Sequence, residues 1–304
     1  MRRITTLIAL AAAVTACSAD ENTAPGGGDA ADEPAICADL PPGPFEPELV
    51  LSGLAGTEDF AFDAKGRMAA RAQGQLLLVT AKAKTTVIAP QLPGSFGLRF
   101  RSKGHLAAAL PGAGQVVDVA PDGEVTLLAD DLELPNGVFP DAEGNVWVTE
   151  MQGDRVLKLT AEGEIEVIAE GKDAPSPNGI VIDSVHKALY YSQFGTGIVM
   201  RVDLATEGAA PVEVTTLPDA NPDGLTLDAC GNLYAVDNGN ARLFRVELDD
   251  AGEATADPEL LAEFPASVAN AQFGRAGGFD KTKLYVAGQP GKLFALPIGV
   301  GGAK

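Results

Sequence analysis

The sequence predicts an all-β fold, a six-bladed β-propeller with four antiparallel strands in each blade. Three observations predict it. A short strand-and-turn unit recurs six times, anchored at Glu58 (TEDFAFDAKGR), Phe96 (SFGLRFRSKGH), Asn136 (PNGVFPDAEGN), Asn178 (PNGIVIDSVHK), Asp223 (PDGLTLDACGN) and Asn270 (ANAQFGRAGGF). The steps between anchors are 38, 40, 42, 45 and 47 residues, and a period of about 40 residues rich in short strands and turns belongs to propeller blades. Within each unit apolar and polar residues alternate at period two between glycine-bounded turns, which excludes helix as the main element. The last unit has only three strands, and a strand-like segment stands ahead of the first, so the two chain ends can close a ring.

The elements divide as a signal at 1–16, a tether at 17–38 and the propeller at 39–300. Met1-Arg2-Arg3 is a charged start, and the apolar run from Ile4 to Val14 is too short to span a bilayer. Val14-Thr15-Ala16-Cys17 resembles the lipobox of bacterial lipoproteins. That resemblance implies cleavage before Cys17, lipidation of Cys17 and a lipid-anchored place in the cell envelope. The alternative is an ordinary signal peptide cut near Ala16. From Ser18 to Pro34 the chain is acidic, carries Gly and Pro, and lacks apolar periodicity, as a flexible tether does. With Cys17 set aside, Cys37 and Cys230 form an even pair in an exported chain. They permit a disulfide, with two free thiols as the alternative.

The third repeat is the clearest guide to a blade. Gly137 to Phe139 is a first strand, Asp141-Ala142-Glu143-Gly144 a turn, and Asn145 to Thr149 a second strand. After the loop Met151 to Asp154 come Arg155 to Leu159 and Ile165 to Ala169, separated by Ala161-Glu162-Gly163. The last repeat ends with Lys292 to Pro297, and Pro47 to Ser52 is expected to complete its blade. Such closure removes free sheet edges.

Composition narrows the function classes. A chain of 304 residues that is 46% hydrophobic suits one large all-β domain. A net charge of −20 argues against a nucleic-acid partner, which needs a basic surface. The acidic surface itself reads as a solubility feature. The mature chain has no long apolar run, so a membrane would be met only through a lipid anchor at Cys17, and a monomer is expected.

Equivalent positions of successive blades surround one axis. One rim therefore carries Glu58, Asn136, Asn178, Asp223 and Asn270, together with loops such as the one at Glu150. The opposite rim carries the Asp-x-x-Gly turns, which read as structural. Asn-Gly and Asp-Gly are ordinary turn formers when taken singly. Three in register, with Glu58 in the same register, point further. Two carboxylates and two amide oxygens facing one point would repel or be stranded unless a cation sat between them. An all-oxygen set favours a hard divalent ion, calcium first. Zinc is the alternative, although it favours Cys or His, and the two histidines, His105 and His186, are not in the ring.

The in-register Glu/Asn/Asn/Asp set, the PNG motifs, PDGLTLDACGNLYA and NAQFGRAGGFDKTKLYVAG resemble one family of six-bladed propellers. It is the senescence marker protein/gluconolactonase/luciferin-regenerating enzyme family, and the resemblance covers roughly Glu58 to Pro297. It implies Glu58, Asn178 and Asp223 as metal ligands and Asn136 as the asparagine beside substrate and metal. Asp223 matches the general base as well, acting through metal-bound water. The implied reaction is hydrolysis of a lactone or related ester: a divalent ion polarises the carbonyl and a carboxylate takes a proton from water.

Two departures bear on the substrate. Sugar-lactone members carry an arginine where this chain has Leu134, and Phe96 places an aromatic ring in the second blade. Both make a pocket of Asn136, Phe96, Leu134, Glu150 and Asn270 more apolar, so a hydrophobic lactone or ester is expected. Phe96 could instead plug the channel. A second reading is a non-catalytic calcium-binding propeller that holds a ligand or protein partner at the same rim. A histidine-dependent lyase or lactonase is disfavoured, because no His-His or Ser-His pair falls on that rim.

Overall fold

A computed structural model describes residues 37–54, 58–92, 94–275 and 277–303. The expected signal, Cys17 and the tether as far as residue 36 lie outside the described residues. Among the described residues no helix is long and apolar enough to cross a membrane.

Six four-stranded antiparallel sheets form a six-bladed β-propeller. Their innermost strands are Phe60–Phe62, Leu98–Phe100, Pro135–Pro140, Pro177–Asp183, Pro222–Leu227 and Asn270–Phe273. Each touches the next around the ring, and the last returns to the first. The apolar cores lie between blades rather than within one. Between blades six and one, for example, Phe60, Phe62 and Met68 pack with Phe279, Tyr285 and Leu293. Between blades four and five, Val181 and Tyr190 pack with Leu225 and Phe244.

The ring closes as the sequence predicts. Glu48–Leu51 pairs antiparallel with Lys292–Leu296 and completes the sixth sheet. Outer edges are protected in another way. In each of the first five blades the ladder between third and fourth strands is broken by a bulge, as between Leu76 and Leu77 or Val116 and Val117. A bulged edge is a poor template for a further strand. The outermost strands can therefore expose Val87, Leu127 and Val167 without offering a regular ladder.

Cys37 and Cys230 are joined as a disulfide. The bond ties the start of the described chain to the turn between the first two strands of blade five. It closes a loop across 193 residues. A cross-link over so long a loop limits the unfolded chain, worth about 2–4 kcal/mol.

One local expectation is corrected. The innermost strand of blade three runs Pro135–Pro140, so Pro135-Asn136-Gly137 is the start of the strand and not a turn before it. The same holds for Pro177–Asp183 and Pro222–Leu227.

Candidate functional site

The three Pro-Asn/Asp-Gly motifs are bulges. Pairing with the second strand is regular up to Val138, Ile180 and Leu225, skips two residues, and resumes at Pro135, Pro177 and Pro222. The skipped residues are Asn136-Gly137, Asn178-Gly179 and Asp223-Gly224. A bulge frees a residue from the ladder and re-aims its side chain. Asn136, Asn178 and Asp223 are all buried.

The glycines explain how the bulges fit together. A Cβ on Gly137 would lie 2.4 Å from the Asn178 carbonyl oxygen, and one on Gly179 would lie 2.0 Å from that of Asp223. Glycine is needed here for room, not for a left-handed backbone. Two hydroxyls complete the ring. Thr149 accepts from the Gly137 N–H and donates to the Asn178 carbonyl. Ser192 accepts from the Gly179 N–H at 2.7 Å and donates to the Asp223 carbonyl at 2.8 Å. Blade three thus sets the backbone of Asn178, and blade four that of Asp223.

The carboxyls of this ring feel one another. Burial, and then the neighbouring Asp59 charge, push Glu58 up to about 7. Burial, and then the charges of Glu58 and Asp59, push Asp223 well above the usual carboxylate range. The Glu58 charge therefore reaches the buried Asp223 carboxyl and opposes its ionisation. Asn178 Oδ1 is buried with no hydrogen-bond partner, which is costly for an amide oxygen.

Two further groups at this centre do not follow from the repeat. Asp59 is buried, accepts from the N–H groups of Phe60 and Leu98 at 2.7 and 2.8 Å, and pairs with Arg99 at 2.5 Å. Burial raises its carboxyl, while the Arg99 guanidinium opposes the shift. Arg99 also reaches Asn270 Oδ1 at 3.4 Å. A signal for both residues was present in the repeat alignment. Asp59 occupies the position of Gly97, Gly137, Gly179 and Gly224, and Arg99 that of Phe139 and Val181.

Other expected site residues are placed as follows. Asn136 Nδ2 contacts the Met151 sulfur at 3.7 Å, and the Met151 N–H donates to the Leu134 carbonyl. Leu134 has a left-handed backbone (φ 61°), a conformation that costs a non-glycine residue energy and often marks a functional loop. Phe96 precedes Gly97, whose position for a Cβ is 2.4 Å from the Asn136 carbonyl. Leu134, Met151 and Phe96 are all partly exposed, and Met151 lies against the Asn136 amide. Glu150 is fully buried. Its Oε1 accepts from the Glu133 N–H and its Oε2 pairs with Arg155, each at 2.5 Å. Both oxygens hold the rim loop in place. Asp237 does the same for Asn221 and Arg242 in blade five.

The histidines lie elsewhere. His105 pairs with Asp118 and His186 with Asp183, around the turns of the opposite rim. Among the described residues no three His, Cys, Asp or Glu side chains gather into a metal-holding group. The ring of Glu58, Asn178 and Asp223 has two carboxylates and one amide, an oxygen set with a stranded acceptor. These donors fit a hard divalent cation better than zinc.

No family model and no curated protein sequence matches this chain. Solved structures do. A candidate gluconolactonase aligns over 88% of this chain and 97% of its own, with a TM-score of 0.70 and 19% identity. The gluconolactonase XC5397 of Xanthomonas campestris aligns over 84% and 97%, with a TM-score of 0.67 and 17% identity. A luciferin-regenerating enzyme aligns over 84% and 97%, with a TM-score of 0.66 and 18% identity. A streptogramin B lyase aligns over 83% and 96%, with a TM-score of 0.63 and 17% identity. At these identities the likeness establishes the fold, a six-bladed propeller shared with gluconolactonases and luciferin-regenerating enzyme. A lyase is also among the structures with this likeness.

Proposed function

We propose that this chain is a divalent-metal-dependent hydrolase of a lactone or related ester with an apolar body. One observation carries the reading: the partnerless Asn178 Oδ1, buried in a ring with two carboxyls that resist ionisation. A cation answers all three groups at once, whereas a water or a hydroxyl answers only the amide. Glu58, Asn178 and Asp223 would hold the ion, with calcium the best match.

When bound, such an ion supplies Lewis-acid polarisation of the substrate carbonyl. The protein's own residues do the rest. Asp223, ionised when the cation is bound, would take a proton from the attacking water and return it to the leaving oxygen as the acyl C–O bond breaks. Asn136 orients the substrate through its amide, with Met151 at its side. Leu134, Met151 and Phe96, apolar and partly exposed near the start of their strands or loops, would select an apolar substrate. Arg99, paired with Asp59, offsets negative charge at the centre.

The streptogramin B lyase likeness raises a lyase as a competing reaction, but His105 and His186 are engaged at the other rim. The absence of a cation at Leu134 favours one other reading, a calcium propeller that binds an apolar ligand without turning it over. If Cys17 is lipidated, either activity would be displayed at the cell envelope.

The test is a panel of lactones and aryl esters of graded chain length, assayed with added calcium, with zinc and with chelator. Hydrolysis should require a cation and favour the apolar substrates. Asn136→Ala should lower turnover more than cation affinity. Cation binding without turnover of any substrate would leave the binding reading.

A further inference from the structure

The proposed chemistry uses one mouth of the channel. A cavity of about 2000 Å³ opens at the other. Its wall includes Lys65, Lys103, Lys187, Arg275 and Lys281, all exposed. None of the five makes an ion pair among the described residues, whereas Arg67 and Arg101 of the same wall are bound to Asp63 and Asp118.

Of the acids of this wall, Asp63 is paired with Arg67 and Asp183 with His186, while Asp141 accepts from the neutral side chains of Asn145 and Trp147 and keeps its charge. Glu143 remains free of an ion pair. The mouth thus offers five unpaired cations against Asp141, Glu143 and, with histidine counted as neutral, Asp183, in a chain whose net charge is −20.

Topology places these cations. Lys65, Lys103 and Lys187 sit in or at the ends of the turns joining first and second strands, and Arg275 and Lys281 lie in the corresponding connection of blade six. These turns surround the axis. Exposed acids such as Glu124, Glu162 and Glu164 stand farther out, at the turns between third and fourth strands. A flat anionic surface would meet that acidic surround, while a compact ligand entering the mouth meets a wall with more unpaired cations than acids.

We propose that this mouth is a second binding site, for a compact polyanion bearing phosphate groups. Lysine ammonium groups bind phosphate oxygens as point charges with three donors each, and four lysines from four blades can share several oxygens. The site rests on different residues from the hydrolase centre and stands or falls separately.

The experiment is calorimetric titration of tripolyphosphate into the chain from residue 17 onward, carrying Cys17→Ser, in a buffer free of divalent cations. All six sheets are complete between residues 48 and 296, so removing 1–16 takes away no strand. One tripolyphosphate should bind, more weakly as salt rises. Lys65→Gln, Lys103→Gln, Lys187→Gln and Lys281→Gln should each weaken binding about threefold, and all four together on the order of a hundredfold. Lys172→Gln, on the other rim, should leave it unchanged. Short-chain phosphatidic acid tests whether the phosphate can be lipid-borne, and binding of it alongside tripolyphosphate supports the site. No binding of tripolyphosphate, or binding indifferent to the four substitutions, overturns the proposal. Binding to vesicles containing phosphatidylglycerol without binding to tripolyphosphate also overturns it, in favour of a membrane surface.

Discussion

The Ser192 hydroxyl donates to the backbone carbonyl of Asp223 at 2.8 Å while accepting from the Gly179 N–H. A side chain of blade four thereby fixes where blade five presents its axial carboxylate. Ser192→Ala should leave both backbone groups buried and unpaired, at a cost of about 1–3 kcal/mol. Urea unfolding would measure it. Cation affinity should fall too, because Asp223 loses its fixed position. Ser192→Thr, which keeps the hydroxyl, should restore affinity even where added bulk costs stability.

Closure of the ring gives a second prediction. The strand Glu48–Leu51 pairs with Lys292–Leu296, and Lys283 pairs with Glu48 at 2.8 Å. Deleting residues through Ser52 should expose a sheet edge and lower the melting temperature sharply, with aggregation. Deleting only through Pro34 should be nearly neutral. Equal melting of the two truncations would contradict closure by this strand.

Glu58 gives a prediction with a definite sign. Its carboxyl is raised from 4.5 in the unfolded chain to about 7 in the fold. Between those values the folded chain keeps a proton that the unfolded chain has released. Stability from this group is therefore present at low pH and lost as pH climbs to about 7. In cation-free buffer the melting temperature should carry a component that falls from about pH 5 to pH 7, and Glu58→Gln should remove it. Added calcium competes with those protons, so its stabilising effect should grow over the same range. A Gln variant with an unchanged pH profile would contradict the assignment.

Much of this was legible in the sequence because the repeat is regular. Six anchors at about 40-residue spacing define the blades, and the missing fourth strand of the last repeat points to Pro47–Ser52 as the closing segment. The bulges were not legible. Asn-Gly and Asp-Gly carry the same local signal in a turn as in a bulged strand, and only pairing with the second strand separates the two. Ser192 and Thr149 were hidden for a related reason: a buried hydroxyl between two backbones has no sequence signature. Asp59 and Arg99 were visible as breaks in the repeat, but their pairing needs the ring to bring adjacent blades together. The Cys37–Cys230 bond was left open by the sequence, since an even pair of cysteines does not say whether the two ends meet.

The central claim is that Glu58, Asn178 and Asp223 hold a divalent cation, and thermal melting of chelator-stripped protein tests it most directly. An ion bound only by the folded state at a hundredfold excess over Kd adds about 2.7 kcal/mol, or about 5–10 °C for a domain of this size. Calcium should raise the melting temperature of the wild type by that amount, and zinc by less. Asp223→Ala should melt at one temperature with or without either ion. A stripped wild-type protein whose melting temperature does not move with calcium or zinc would contradict the cation site, and the hydrolase reading with it.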